Sequence, residues 1–169
     1  KIPCIFYVNK LDDEKSDYFK VLEQLKETFG KSVAPFSIPV KDGDHFNGFI
    51  SVVKQTMRTF DGNKAVDYDI TDEETAEIAP IRVMILEAVA ETDEVLMEKY
   101  FKGEEFTQEE ISHALREGVK TGDILPVLCG SAQLKIGVLD LLDSIVKYFP
   151  SPDEMPAEEA ILTTDSGED

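Results

Sequence analysis

No apolar run in the 169 residues approaches the length of about 20 that a helix needs to cross a bilayer, and no secretory signal pattern opens the chain. A membrane-spanning helix is excluded, and a soluble cytoplasmic protein is expected. Cysteine is scarce. Cys4 and Cys129 both fall in runs that read as buried strands, so two reduced core thiols of a cytosolic protein are expected rather than a disulfide. His45 and His113 stand alone, with no H-x-x-x-H or C-x-x-C spacing, and a zinc site is not expected. Positive charge is short as well: 17 Lys and Arg face 35 Asp and Glu, a formal net charge of -18. Nucleic-acid surfaces are normally basic because they neutralise phosphates, so no direct grip on RNA or DNA is expected. A surface this acidic suits a basic protein partner or serves solubility. Internal repeats and low-complexity tracts are absent. So is the phosphate loop G-x-x-x-x-G-K-[ST]: Gly30-Lys31-Ser32 supplies its tail, but Leu25 stands where the first glycine belongs. That triplet also closes a helix, whereas phosphate is held by backbone N–H groups at a helix start.

What is present begins with an apolar run, Ile5 to Val8, of a length that suits a strand buried on both faces of a parallel sheet. Ligands of such sheets sit beyond the carboxyl ends of the strands, and here Asn9, Lys10, Leu11 and Asp12 follow at once. A carboxylate at that place can accept two parallel hydrogen bonds from N1–H and N2–H of guanine, which adenine does not offer. Tyr18, Leu22, Leu25 and Phe29 then recur at helical steps, with Asp13 or Ser16 as the expected cap and Gly30 as the stop. Val33 to Val40 carries Pro35 and Pro39 and reads as an edge strand or one that ends early. Phe46 to Phe60 and Ala65 to Ile70 read as antiparallel strands, joined by a turn at Asp61-Gly62 and preceded by one at Asp42-Gly43. Capping boxes at Thr71/Glu74 and Thr107/Glu110 start helices. The first carries the stripe Ile78, Ile81, Ile85 and Ala88, with Pro80 predicting a kink or late start. Thr92 opens a short helix with Leu96, Met97 and Tyr100 inward, stopped near Gly103. Ile111, Leu115 and Val119 mark a third helix, ended by Gly122. A second buried run, Ile124 to Leu128, leads into Cys129-Gly130-Ser131-Ala132. Apolar positions 138, 141, 142, 145 and 149 then predict a helix on a sheet, and the acidic, proline-bearing tail from Pro150 reads as a solvated linker.

N-K-x-D at residues 9 to 12 is the guanine-specificity motif of GTPases. The flanking P-x-x-x-x-V-N-K-x-D, the helix V-L-E-Q-L-K, the run L-M-E-K-Y-F-x-G-E-E, C-G-S-A at 129 to 132 and the closing Y-F-P-S-P extend the likeness. From Ile2 to Pro152 the chain resembles the second half of the GTP-binding domain of bacterial elongation factor G. The implied fold class is α/β: a partial P-loop GTPase domain with a parallel sheet, interrupted by an inserted α+β subdomain with an antiparallel sheet. Residues 1–32 and 122–150 would form the GTPase half, 33–121 the insertion and 151–169 a linker toward the next domain. The chain starts abruptly at Lys1, as an excised piece would, and copy-to-copy pairing or partial order around residues 3 to 8 is then expected.

The resemblance implies that GTP or GDP is the cofactor, with Mg²⁺ bound by the full-length protein through residues outside this chain. Asp12 would read N1–H and N2–H, Asn9 would brace the loop and Lys10 would cover the ring. The loop of Ser131 and Ala132 would offer a backbone N–H to O6, with the serine supporting the aspartate. A site built on such bonds discriminates by at most about 10⁴ to 10⁵-fold. No catalytic residue and no metal ligand is assigned to this piece; the full-length protein would be the GTPase. The sequence departs from the family after Ala132, where Gln133-Leu134-Lys135-Ile136-Gly137 replaces a lysine-rich K-N-K-G. The insertion resembles a docking platform for the ribosomal stalk protein, and Glu87, Glu91 and Glu94, spaced four then three, would share one helical face. The parent would drive ribosomal translocation. A ribosome-recycling or ribosomal-protection paralogue, or a standalone acidic protein-binding module, are the alternatives.

Overall fold

A computed structural model describes residues 2–43, 45–61 and 64–155. In chain order the elements are β1 (Phe6–Val8), α1 (Tyr18–Phe29), β2 (Val33–Pro35), β3 (Ser37–Asp42), β4 (His45–Ser51), β5 (Thr56–Asp61), β6 (Lys64–Asp69), α2 (Asp72–Ala90), α3 (Glu94–Lys102), α4 (Gln108–Thr121), β7 (Leu125–Cys129) and α5 (Val138–Tyr148). They make two sheets: a parallel one in the order β1-β7-β2 and an antiparallel one in the order β3-β4-β5-β6. The α/β class read from the sequence holds, and so does the antiparallel sheet within it.

A strand buried over four of its five residues, β7, takes the centre of the parallel sheet. Val127, Leu128 and Cys129 are closed off from solvent, while Val8 pairs with Cys129 on one side and Pro35 with Val127 on the other. The opening strand is less buried than its apolar run suggests. β1 covers three residues, all half-buried, because no further strand pairs with its outer edge among the described residues. Phe6 packs instead against Phe29 of α1, ring centroids 5.2 Å apart. Cys4 lies before the strand and is exposed, unlike the expected core thiol, whereas Cys129 is buried; both are free. α1 is capped by Asp17, whose carboxylate accepts from Lys20 N–H at 3.0 Å, and not by Asp13 or Ser16.

The strands that carry Pro35 and Pro39 do lie at sheet edges, but they belong to different sheets. Val33–Pro35 joins the parallel sheet, so that sheet reaches past residue 32, and β3 opens the antiparallel one. Phe46 to Phe60 is two strands with a turn over 52–55, where Gln55 takes φ 56°. The Asp42-Gly43 turn joins β3 and β4; Gly62 of the other expected turn lies outside the described residues. Where the sheets meet, four bonds cross one short segment. Phe36 N–H donates to the Val127 carbonyl at 2.8 Å, and Val52 N–H donates to the Phe36 carbonyl at 2.9 Å. Ser37, fully buried, accepts Cys129 N–H on its hydroxyl at 3.0 Å and the Tyr18 hydroxyl on its carbonyl at 2.8 Å.

Both capping boxes form. Pro80 neither delays nor divides α2, which runs through it; the proline is exposed, so its missing N–H falls on the solvent side. Asp93, not Thr92, caps α3 by accepting from Val95 and Leu96 N–H. α4 buries Ile111, Leu115 and Val119 as its stripe predicts. In α5 the periodicity misleads: Leu142 and Ile145 are 52% and 39% exposed, and the helix is closed over instead at Ser144 and Tyr148. The tail holds structure at its start, a 3₁₀ turn over Pro152–Glu154 docked by Arg116, which forks onto Glu154 at 2.9 Å and donates to the Lys147 carbonyl at 2.8 Å. Residues 156–169 of the expected linker lie outside the described residues.

Ser37→Ala removes the acceptor for a buried N–H and should lower stability by about 1–3 kcal/mol in denaturant titration; a midpoint unchanged from wild type would show that the joint contributes nothing. The Glu154 carboxyl is pushed down to about 2, first by Ser151 N–H and then by the Arg116 guanidinium. A depressed folded-state pKa stabilises above the ordinary carboxyl value of about 4.3 and stops doing so as pH falls through the lower one. The Ser151 amide resonance should therefore titrate near pH 2, and a midpoint above 4 would contradict the docked turn.

Candidate functional site

Parallel pairing of β1 with β7 ends both strands on the same edge of the sheet, and their following loops become neighbours. Gly130 N–H donates to the Val8 carbonyl at 3.0 Å, and the Gly130 carbonyl accepts Leu11 N–H at 3.3 Å. Leu11 is buried, which anchors the loop, while Asn9 and Lys10 just before it are exposed. Lys10 adopts φ 63°, an uncommon conformation for a residue with a Cβ. The turn closes through Asp13 N–H to the Lys10 carbonyl at 3.0 Å.

The loops are tied directly. Ala132 N–H donates to Asn9 Oδ1 at 2.9 Å, across 123 residues of sequence. Asp12 is half-buried, and its Oδ1 is shut from solvent without a hydrogen-bond partner. A buried carboxylate oxygen in that state is a strong acceptor waiting for a donor. Ser131 is fully buried and accepts Leu134 N–H on its hydroxyl at 3.1 Å, so the bond it makes is to its own loop and not to Asp12. The N–H expected to serve a ligand oxygen is already engaged by Asn9, and a base approaching Ala132 would share it. Asn9, Asp12, Ser131 and Ala132 are thus brought together, with Lys10 beside them.

Three further residues hold this corner, and the motifs do not flag them. Tyr7 donates its hydroxyl to the Ile136 carbonyl at 3.2 Å. Ser131 and Ile136 exchange backbone bonds of 3.0 and 3.1 Å, closing the loop that carries Ala132. Gly137 leaves the loop at φ 80°, over the Cys129 carbonyl, where a Cβ would not fit. The available signal was a phenol inside an apolar strand, since a buried tyrosine hydroxyl needs a partner. Burial, with the nearby Cys129 and Asp140, pushes the Tyr7 phenol up to about 12. Burial likewise raises the Cys129 thiol to about 12, so it stays protonated and is no nucleophile.

The donor set fits a purine base and does not fit its phosphates. Asp12 offers an unpaired acceptor of the kind N1–H and N2–H of guanine would meet. By contrast Gly30-Lys31-Ser32 forms a 3₁₀ turn at the end of α1, where Lys31 pairs with Glu91 at 3.3 Å. No group of three or more His, Cys, Asp or Glu among the described residues is placed to hold a metal ion.

The three glutamates do not lie on one helix. Glu87 is in α2 and accepts the Tyr100 hydroxyl at 3.3 Å, Glu91 is the cap residue just past the end of α2, and Glu94 begins α3. The break at Thr92-Asp93 undoes the four-then-three spacing; all three side chains are nonetheless exposed.

Residues 1–151 match the elongation factor Tu GTP binding domain family. Over 165 residues the chain is 38% identical to elongation factor G 1 of Syntrophomonas wolfei subsp. wolfei, covering 96% of this chain and 24% of that protein. Over 159 residues it is 35% identical to elongation factor G 2 of Syntrophus aciditrophicus, covering 92% and 24%. A crystal structure from Thermus thermophilus superimposes with a TM-score of 0.80 at 36% identity, over 90% of this chain and 23% of that one. The chain spans about a quarter of the length of the curated relatives it matches.

A Cβ on Gly130 would strike the Tyr7 hydroxyl and the Ile136 carbonyl. Gly130→Ala should therefore destabilise by about 1–3 kcal/mol or more through overpacking, and should shift the Ala132 amide resonance by disturbing its bond to Asn9. A variant with wild-type stability and an unmoved Ala132 amide would contradict this packing.

Proposed function

The chain belongs to the elongation factor Tu GTP-binding-domain family, and from that premise we propose that it is the guanine-reading half of the GTP-binding domain of a translational GTPase resembling elongation factor G. The observation that carries this reading is the Asn9–Ala132 tie with the unpartnered Asp12 oxygen beside it. Asp12 accepts N1–H and N2–H, Asn9 holds the two loops at the right spacing, and the Lys10 stem covers the ring face. Ser131 shapes the second loop, whose Ala132 N–H lies toward O6. Residues 1–32 and 122–150, with β2 (Val33–Pro35) completing their parallel sheet, are the GTPase half, the rest of 33–121 is its insertion and 151–169 the lead to a following domain.

The whole protein uses GTP hydrolysis to drive translocation on the ribosome, in the cytoplasm. Mg²⁺ and the phosphate-binding groups, when bound, supply most of the nucleotide affinity and the charge neutralisation of phosphoryl transfer in this class. The residues of this chain do the orienting: they accept the base and hold its edge in register. The insertion docks the ribosomal stalk protein through Glu87, Glu91 and Glu94, whose exposed carboxylates on a strongly acidic body suit a lysine patch.

Calorimetric titration of this chain with GTP should give binding weaker than micromolar and no turnover, and a micromolar dissociation constant would contradict the division of labour. Glu87→Lys, Glu91→Lys and Glu94→Lys together should weaken binding to the stalk protein and flatten its salt dependence. The Glu91–Lys31 pair lost in that variant is exposed and contributes only about 0–1 kcal/mol. Binding unchanged by the reversal would remove the docking surface.

A further inference from the structure

Along β1 the side chains alternate, so Tyr7 faces opposite to Phe6 and Val8. Its ring is half-buried, and its hydroxyl meets the Ile136 carbonyl 129 residues away at 3.2 Å. That same carbonyl accepts Ser131 N–H at 3.0 Å, and Ile136 N–H returns to Ser131 at 3.1 Å. The loop from Ser131 to Ile136 is thus closed at its neck by three hydrogen bonds, and one comes from outside the loop. Neighbouring geometry leaves the neck little freedom. Ile136 is buried, Gly130 sits against the Tyr7 hydroxyl with no room for a Cβ, and Gly137 turns tightly over the end of β7. Within this neck lies Ala132, whose N–H reaches Asn9. The same strand therefore carries both loops' anchors: its end bears Asn9, and one residue before that end Tyr7 pins the other loop.

We propose that Tyr7 is a positioning residue for base recognition, its hydroxyl latching the neck of the Ser131–Ile136 loop and so setting the Ala132 N–H against Asn9 on the O6 side of the pocket. This rests on the guanine reading of the site. The latch also explains how Gln133-Leu134-Lys135-Ile136-Gly137, without a lysine-rich pattern, holds its shape: Ile136 anchors the loop by its buried side chain and by its doubly bonded carbonyl.

The test uses the 169-residue chain and Tyr7→Phe, which keeps the ring and removes only the hydroxyl. Amide exchange at Ser131 and Ile136 should quicken by about fivefold, the equivalent of one neutral hydrogen bond, while the core amide of Leu115 in α4 keeps its rate. Titrations with guanosine and inosine diphosphates, followed at the Ala132 amide, should weaken by a similar factor for both, since the two share O6. Unchanged exchange at Ser131 and Ile136 overturns the latch. Faster exchange with undiminished binding of both diphosphates overturns the positioning role. Faster exchange spread through α4 marks a general packing role and overturns it too. If the wild-type chain shows no guanosine diphosphate shift at Asp12 or Ala132, the guanine reading itself fails, and the role in base recognition falls with it.

Discussion

The structure depends on what happens at the carboxyl end of β7. Cys129 N–H goes to the buried Ser37 hydroxyl, Gly130 N–H to Val8 and the Gly130 carbonyl to Leu11 N–H. Within two residues the central strand is bonded to the start of the antiparallel sheet, to β1 and to the N-K-L-D loop. Each bond lies in an environment largely closed to water, where a lost partner leaves a full desolvation penalty. Position 130 must be glycine for the same reason: Tyr7 and the Ile136 carbonyl already fill the space a methyl group would need.

Preorganisation follows from that arrangement. The Asn9–Ala132 bond ties the two loops across 123 residues, so on the proposed guanine reading they need little ordering on binding. Asp12 carries the opposite sign: a carboxylate oxygen kept from water without a donor costs about 1–3 kcal/mol. A ligand presenting two N–H groups relieves that penalty, and one without them does not. On the proposed guanine reading, discrimination comes from the unmet bond more than from shape.

Much of this was legible in the residues. N-K-L-D and C-G-S-A each follow an apolar run, and parallel strands end on one edge, so the pattern allowed the two loops to meet. That they do so was expected from the resemblance and is set by the pairing of β1 with β7. The capping boxes and the α4 stripe were equally plain, because they are local. The misreadings concern what lies opposite an element. A strand's burial depends on its neighbours, so Ile5–Val8 read as a core strand although β1 is half-buried. The periodicity of α5 could not tell which of its apolar residues meet the sheet, and Leu142 and Ile145 do not. The glutamate spacing assumed one continuous helix, whereas Asp93 restarts the chain as a new one. The turn inside Phe46 to Phe60 carries no Gly, Pro, Asn or Asp and left no signal; Gln55 takes the positive φ there. The role of Tyr7 needed the coordinates of a loop 129 residues away.

The central claim is that the Asp12 and Ala132 loops form one pocket for a guanine base. Intermolecular nuclear Overhauser effects from the base of guanosine diphosphate, at millimolar concentration, to this chain would test it most directly. The account places contacts from one base onto both loops at once, with none from adenosine diphosphate under the same conditions. Contacts confined to one loop, or shared equally by adenine, would contradict it.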